Sequence, residues 1–249
     1  MTYFQFLLIF IIPLVGLGSM AFRKTNDPEK VYVLRGIILL AVLAVVYTTP
    51  WDNYLIMTHV WSYEDHRVLG KIGYVPIEEY AFFVLQSFLS GYWCYFVQRW
   101  IPIQKDPSRI SSALIFAMSA SLFGIFTAGV YLLNQVEGRY MGLILVWALP
   151  VIILQWLVGA RFLLSNLRTY FWSLLPATVY LCTVDAIAIH LKVWKISMQQ
   201  TTGIFIFNLP IEEALFFLLT NVMLVQGLVL FIAMKERFPI LTRRIFLRG

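Results

Sequence analysis

The chain has 249 residues, of which 60% are hydrophobic and only 13% are charged. Soluble domains are on average about 45–50% apolar and about 25% charged, so a soluble core of this size could not bury these residues and they must face lipid. The formal net charge of +6 does not indicate nucleic-acid binding, because the lysines and arginines flank apolar runs as membrane anchors do. The composition therefore predicts an integral membrane protein.

Seven apolar segments follow one another along the chain, and each is long enough for a membrane-spanning helix, which needs about 20 residues. We expect spans near 2–22, 33–59, 77–98, 110–133, 140–163, 170–193 and 208–234. The first run has no basic segment before it and is followed by Arg23 and Lys24. It is therefore predicted to be a spanning helix and not a cleaved signal peptide.

The distribution of charge predicts the orientation of the chain. Five of the 19 lysines and arginines fall on the side of the N-terminus, and the other 14 fall on the opposite side. Because cytoplasmic loops are enriched in Lys and Arg, we expect a cell (inner) membrane protein with its N-terminus outside and its C-terminus in the cytoplasm. Nine of the 13 acidic residues lie on the N-terminal side, which suggests that chemistry takes place there.

An internal repeat divides the chain into two halves. The matched positions are Asp52, Trp61, Gly70 and Pro76-Ile77-Glu78-Glu79 in the first half, and Asp185, Trp194, Gly203 and Pro210-Ile211-Glu212-Glu213 in the second. Each helix of the first half is matched by the helix four places later in the chain. Because four is an even number, both halves cross the bilayer in the same direction. This predicts an all-α protein of two parallel three-helix repeats, residues 1–104 and 137–249, joined by a linker helix in 105–136.

Both acidic motifs open a helix where it enters the bilayer. Carboxylates in a first helical turn can simply stabilise the helix dipole, by about 0.3–1 kcal/mol. Ionisable residues at membrane depth are expensive, however, and normally face the interior of a bundle, so a matched set favours function. The candidate catalytic residues are Glu78, Glu79, Glu212, Glu213, Asp52 and Asp185. Adjacent helical residues point about 100° apart, so one glutamate of each pair should face a pocket between the halves, and spacing does not say which.

Aromatic side chains beside the acidic motifs could stabilise a carbocation through the negative faces of their rings. Together with one asparagine they form the predicted substrate-binding group, which is Trp51, Asn53, Tyr54, Tyr80, Phe82, Phe83, Phe216 and Phe217. His59 and His190 lie at non-equivalent positions of the repeat and are interpreted as interfacial residues.

No cofactor or metal is predicted. Residues 16–21 formally match the dinucleotide-binding glycine pattern, but they end a membrane helix and follow no strand. Cys94 and Cys182 lie in separate apolar segments and are interpreted as packing residues. A redox reaction is therefore disfavoured.

These residues resemble the lycopene cyclase domain. The resemblance rests on the paired Pro-Ile-Glu-Glu-x-x-Phe-Phe segments, on Thr-Thr-Pro-Trp-Asp-Asn-Tyr at 48–54 and on the three-plus-one-plus-three layout, and it covers nearly the whole chain in the manner of the fused family members. It implies a flavin-independent enzyme that converts the C40 carotenoid lycopene, through γ-carotene, to β-carotene in the bilayer without net redox change. Association with other carotenoid-biosynthesis enzymes stays open.

The second half lacks counterparts of the Pro-Trp and Asn-Tyr pairs that flank Asp52, so the two motifs are expected to be unequal. Two alternatives remain. A carboxylate-lined proton or ion transporter would need polar groups across the whole membrane, and the cytoplasmic halves of the helices are almost wholly apolar. A hydratase or cyclase acting on another acyclic carotenoid would use similar residues.

Overall fold

The computed structural model describes residues 1–104 and 110–237. Its long helices are α1 Tyr3–Lys24, α2 Lys30–Met57, α3 Ile77–Trp100, α4 Ser112–Leu132, α5 Arg139–Ser165, α6 Leu167–His190 and α7 Ile211–Arg237. They match the seven predicted segments to within a few residues at each end. The cations predicted to be cytoplasmic at Lys105, Arg109, Arg243, Arg244 and Arg248 lie outside the described residues.

Six of these helices in the described part of the chain are long and apolar enough to cross a membrane, and α3 is the exception. This helix has 24 residues and carries the polar residues Gln86 and Ser90 near its middle. Those side chains are buried against α7, where Gln86 Nε2 donates to Thr220 Oγ1 at 3.0 Å and Ser90 Oγ donates to Asn221 Oδ1 at 2.6 Å. The chain is thus an all-α membrane protein, and a seventh crossing by α3 stays a prediction.

Large apolar side chains cover the outside of the bundle. Phe116 is 75% exposed, Leu157 is 72% exposed and Val46 is 67% exposed, although each lies well inside its helix. Exposed apolar area of this extent is unfavourable in water and is the ordinary outer surface of a protein in lipid.

Two loops, residues 58–76 and 191–210, form a cap over one end of the bundle. Each contains paired two-residue strands, which are β1 Trp61–Ser62, β2 Lys71–Ile72, β3 Val75–Pro76, β4 Lys195–Ile196, β5 Phe205–Ile206 and β6 Leu209–Pro210. Strands β2 and β3 form one hairpin, β5 and β6 form another, and β1 pairs antiparallel with β4. The last pairing joins the two loops into one layer above the starts of α3 and α7. The sequence has no strand periodicity at these positions, so the cap was not predicted.

Ion pairs also link the two loops of the cap. Glu64 accepts hydrogen bonds from Arg67 and from Lys195 of the other loop, and Arg67 Nη1 donates to the carbonyl oxygen of Leu191 at 2.9 Å. Hydrogen bonds from Lys195 and Arg67 lower the pKa of Glu64 to about 2. The pairs therefore stay charged at any physiological pH.

Candidate active site

All six predicted carboxylic acids are buried at the capped end of the bundle. Their exposed fractions are between 0% and 4%, for Asp52, Glu78, Glu79, Asp185, Glu212 and Glu213. Helices α2 and α6 supply the aspartates near their ends, and α3 and α7 supply the glutamates in their first turns. All six acids therefore lie towards the same end of the helix bundle.

The first glutamate of each pair holds the cap. Glu78 Oε1 accepts a hydrogen bond from the backbone N–H of Leu69 at 2.8 Å. In the second half, Glu212 Oε1 accepts from the backbone N–H of Thr202 at 2.7 Å and from its hydroxyl at 2.8 Å. These two side chains turn towards the loops, which identifies them as anchors of the cap.

The second glutamate of the first half is held by two tyrosine hydroxyls. Tyr3 and Tyr63 donate to the same oxygen, Glu79 Oε2, at 2.8 and 2.9 Å. Burial and the neighbouring Glu79 carboxylate raise the pKa of Tyr63, a residue of the cap, well above its usual range, so its phenol is neutral and acts as a donor. Two hydrogen bonds to one oxygen favour a carboxylate that accepts them.

The second glutamate of the other half belongs to a different network. Tyr140 donates to Glu213 Oε1 at 2.6 Å, and Trp61 Nε1 donates to the Tyr140 hydroxyl at 2.9 Å. Asp185 Oδ1 accepts from Trp194 Nε1 at 2.9 Å, whereas Asp185 Oδ2 has no hydrogen-bond partner among the described residues. The buried carboxyl groups of Asp185 and Glu213 interact electrostatically, and two negative charges are unfavourable side by side in a buried site, so this pair can hold a transferable proton.

Asp52 occupies a third environment. Its side chain is fully buried, and neither of its oxygens has a hydrogen-bond partner among the described residues. It interacts electrostatically with Glu79. The matched aspartates therefore differ, because Asp185 is hydrogen-bonded to Trp194 and lines the chamber described next, while Asp52 does neither.

Three of the acids line one small cavity, which we call the acid chamber. Its walls are formed by Tyr3, Trp61, Tyr63, Glu79, Phe82, Asp185, Trp194, Glu213, Phe216 and Phe217. The chamber has a volume of ≈ 20 Å³, and a single water needs about 10–15 Å³. In the conformation described here it is therefore closed to a hydrocarbon. No group of three or more His, Cys, Asp or Glu residues that could hold a metal ion is found in residues 1–104 and 110–237.

Aromatic rings surround the chamber. Phe216 is stacked on Trp51, with ring centres 5.7 Å apart and planes 8° apart, and Trp61 meets it edge-on at 5.6 Å. On the other side, Phe82 meets Phe217 edge-on at 6.2 Å. Of the predicted substrate-binding residues, Phe82, Phe216 and Phe217 thus line the chamber, and Trp51 packs behind Phe216.

The remaining predicted substrate-binding residues lie elsewhere. Asn53 Oδ1 accepts from the backbone N–H of Tyr74 at 2.9 Å, and the Tyr80 hydroxyl donates to the carbonyl oxygen of Ile72 at 3.2 Å, so both hold the first hairpin. Tyr54 is 45% exposed on the outer surface. Phe83 lines a larger neighbouring cavity and not the acid chamber.

Four residues of the chamber wall were missing from the sequence-based site, namely Tyr3, Trp61, Tyr63 and Trp194. Tyr140, which donates to Glu213, was also missing. The two tryptophans mark the repeat in the sequence, and a further signal was available for two tyrosines. Tyr3 precedes Pro13 by the same ten positions by which Tyr140 precedes Pro150, so both tyrosines occupy one position of the repeat.

Comparison with known proteins identifies close relatives. The family model for lycopene cyclase matches residues 1–97 and 138–232. Two proteins named lycopene beta-cyclase, from two strains of Halobacterium salinarum, are 40% identical to this chain over 236 residues, which cover 92% of this chain and 95% of each relative. A bifunctional lycopene cyclase/phytoene synthase of Sporisorium reilianum is 34% identical over 246 residues, 91% of this chain and 34% of that protein. No solved structure matches the chain.

Proposed function

The chain belongs to the lycopene cyclase family, and on this premise we propose that it converts lycopene through γ-carotene to β-carotene within the membrane. One observation carries the proposal: three buried acids, two of them interacting as a pair, line an aromatic chamber under a closed cap. Ring closure of lycopene is an isomerisation, so a proton donor, a proton acceptor and walls that tolerate a cation are sufficient.

The proton donor is the Asp185–Glu213 pair. Both side chains line the chamber, and because two buried carboxylates repel each other, one of the two keeps its proton. The proton adds to C2 of the terminal C1=C2 bond, which leaves a tertiary cation at C1. The electrons of the C5=C6 bond then form the C1–C6 bond, and the positive charge moves to C5.

The proton acceptor is Glu79. Two tyrosine hydroxyls stabilise its carboxylate form, and it faces the same chamber as the donor pair. Glu79 removes the proton from C6, and the electrons of that C–H bond restore the C5=C6 bond in a β-ring. One proton enters and one leaves, so no electrons are exchanged with a cofactor.

The chamber walls protect the cationic intermediate. Trp61, Phe216 and Phe217 line the chamber, and the negative faces of such rings attract a positive charge. Water would trap the C1 cation as a tertiary alcohol, and a dry site prevents such side reactions. The cap and the bilayer together keep bulk water out.

The two-repeat architecture is part of the proposal. Two parallel three-helix units, residues 1–104 and 137–249, are joined by a linker helix in 105–136, with the N-terminus outside and the C-terminus in the cytoplasm. The matched tyrosine–glutamate bonds of the two halves support it, as do the two stretches matched by the family model. In this arrangement α3 is the third span of the first unit.

Expression in a lycopene-accumulating bacterium tests this function. Chromatography of the pigments should show β-carotene and a transient pool of γ-carotene, and cells carrying the Glu213→Gln variant should retain lycopene. Unchanged lycopene in cells that contain the wild-type protein in their membranes would overturn the proposal. Conversion of lycopene to a hydroxylated product alone would point to a hydratase.

A further inference from the structure

A second cavity lies next to the acid chamber and opens towards lipid. It is bounded by α2, α3, α5 and α7 and has a volume of ≈ 230 Å³. Its wall on α5 runs from Trp147 to Gln155, about 12 Å at 1.5 Å per residue. Two of its lining residues on α2, Leu43 and Tyr47, are 51% and 42% exposed on the outer surface of the bundle. We call this cavity the lateral cavity.

One residue alone borders both the lateral cavity and the acid chamber among the described residues. That residue is Phe216, which follows Glu213 by one turn of α7. Its ring packs against Trp51 and Trp147 with nearly parallel planes and against Trp61 edge-on. Phe216 therefore forms the partition between a lipid-facing apolar space and the carboxyl groups.

The repeat provides a natural comparison on the opposite side of the bundle. A cavity of ≈ 200 Å³ between α1, α3 and α6 is lined by Leu14, Gly18, Ala177 and Tyr180, among others. Three of these match the lateral cavity, since Ala177 and Tyr180 lie 133 positions after Ala44 and Tyr47, and Leu14 lies 137 positions before Val151. We call it the opposite cavity.

Equivalent hydrogen bonds close one edge of each cavity. The hydroxyl of Tyr47 donates to the carbonyl oxygen of Trp147 at 2.8 Å, and that of Tyr180 donates to the carbonyl oxygen of Phe10 at 2.6 Å. Each carbonyl lies three residues before a proline, which has no N–H to donate to the preceding turn.

The two cavities differ in their connection to the acids. The opposite cavity shares no lining residue with the acid chamber in the described part of the chain. Its wall on α3 lies further from the acidic end and includes Tyr92 and Phe96, whereas the wall of the lateral cavity on α3 begins at Phe83, one turn after Glu79.

We propose that the lateral cavity is the binding site for the polyene chain of the carotenoid, and that one end of the molecule reaches the acids only by displacing Phe216. This inference rests on the proposed cyclase function. The cavity is apolar, faces lipid and continues into the acid chamber through one ring, which suits a hydrocarbon dissolved in the bilayer. The opposite cavity is not an entrance.

A single entrance has a consequence for the order of events. The two ends of lycopene must be cyclised one after the other, and the monocyclic product must withdraw and turn before its second end can enter. γ-Carotene is therefore released between the two ring closures and can be captured by the surrounding membrane.

Matched substitutions in the two cavities test the proposal. Ala44→Phe and Val151→Phe fill the lateral cavity, and Ala177→Phe and Leu14→Phe fill the opposite cavity at equivalent positions. Initial rates of lycopene consumption are measured in membranes against lycopene concentration, per amount of folded protein. For the lateral-cavity variants we expect kcat/KM to fall at least about tenfold, as loss of about 1.4 kcal/mol of binding would produce. Ala44→Val should fall between Ala44→Phe and the wild type.

The opposite-cavity variants should stay within about twofold of the wild type, because this cavity shares no lining residue with the acid chamber among the described residues and rates are compared per amount of folded protein. Equal losses in both sets, or losses confined to the opposite cavity, would overturn the single entrance. If the wild-type protein does not cyclise lycopene at all, the proposed function itself is wrong. If it does so and the two sets of variants behave alike, only the assignment of the cavity is wrong.

Bound pigment provides a readout that does not depend on turnover or on equal folding. Lycopene that co-purifies with Glu213→Gln is compared with the amount that co-purifies after adding Ala44→Phe or Ala177→Phe. We expect Ala44→Phe alone to reduce it. In a separate variant, Phe216→Trp should retain bound lycopene but lose turnover. Undiminished lycopene in the Glu213→Gln/Ala44→Phe protein would place the polyene elsewhere and refute the proposal.

Discussion

Replacing one glutamate of the second motif by glutamine should abolish ring closure, while replacing its neighbour should reduce the activity only severalfold. The critical residue is Glu213, and the control is Glu212. Both are buried in the first turn of α7, so the two substitutions are matched in burial, helix position and change of charge. Only Glu213 lines the acid chamber.

The expected magnitudes follow from the contacts of each side chain. A general acid typically contributes about 10²–10⁴-fold in rate, and glutamine at position 213 cannot supply a proton. At position 212 an amide oxygen can still accept from the N–H and hydroxyl of Thr202. The loss of charge on two hydrogen bonds costs about 1 kcal/mol each, the difference between charged and neutral acceptors. Glu212→Gln should therefore lower stability and reduce activity only severalfold.

The assay measures initial rates of lycopene consumption in membranes, normalised to the amount of folded protein. Thermal unfolding of the detergent-solubilised variants separates an effect on stability from an effect on chemistry. Equal loss of activity in the two variants, at equal amounts of folded protein, would show that chamber geometry does not select the catalytic glutamate. In that case the assignment of Glu213 to the proton donor would be wrong.

Three further outcomes are expected. Glu79→Gln should still allow proton uptake at C2 but block loss of the C6 proton, so products derived from a trapped cation should replace β-carotene; clean β-carotene at the wild-type rate would argue against Glu79 as the base. Glu64→Gln should loosen the cap and raise the fraction of C1 tertiary alcohol, measured by mass spectrometry. Because the pKa of Glu64 is about 2, its contribution to stability is present above its unfolded pKa of about 4.3 and is lost only as the pH falls through about 2, so lowering the pH within the physiological range should not mimic the substitution. Reporter fusions after Arg168 and after Arg244 should both give a cytoplasmic signal, and a periplasmic signal at either would contradict the proposed orientation.

The helices could be predicted from the sequence because apolar runs of membrane length are unambiguous. Their ends agree within a few residues, and six satisfy the criteria for a membrane span. The third helix differs because its polar residues, among them Gln86 and Ser90, are satisfied by α7. Hydrogen bonds between helices cannot be predicted from hydropathy along the sequence. The hydropathy of α3 alone therefore does not show that its polar side chains are paired inside the bundle.

The clustering of the carboxylic acids could also be predicted, because the same acidic motif occurs twice at the start of an apolar helix. Stabilisation of the helix dipole alone does not explain such a matched pair. The choice within each pair was not, since it depends on loops that bring Leu69 and Thr202 to the first glutamate. The partners of the second glutamates are also remote in sequence, with Tyr3 76 positions from Glu79 and Tyr140 73 positions from Glu213. Only folding brings them together.

The residues of the predicted substrate-binding group lie at different places in the structure, because proximity in sequence to an acidic motif does not fix the direction of a side chain. Asn53 and Tyr80 point to the first hairpin, while Trp51 and Phe216 stack beside the acids. Residues that follow one another on a helix face different neighbours, and the loops of the cap decide which of them meet the chamber.

Isotope incorporation tests the acid–base account most directly. Purified protein in detergent, freed of any bound flavin, is incubated with lycopene in heavy water, and the products are analysed by mass spectrometry and NMR. We expect β-carotene with one deuterium at C2 of each ring, formed without added flavin or nicotinamide. Rings without deuterium at C2, or strict dependence on a reduced flavin or nicotinamide, would contradict it.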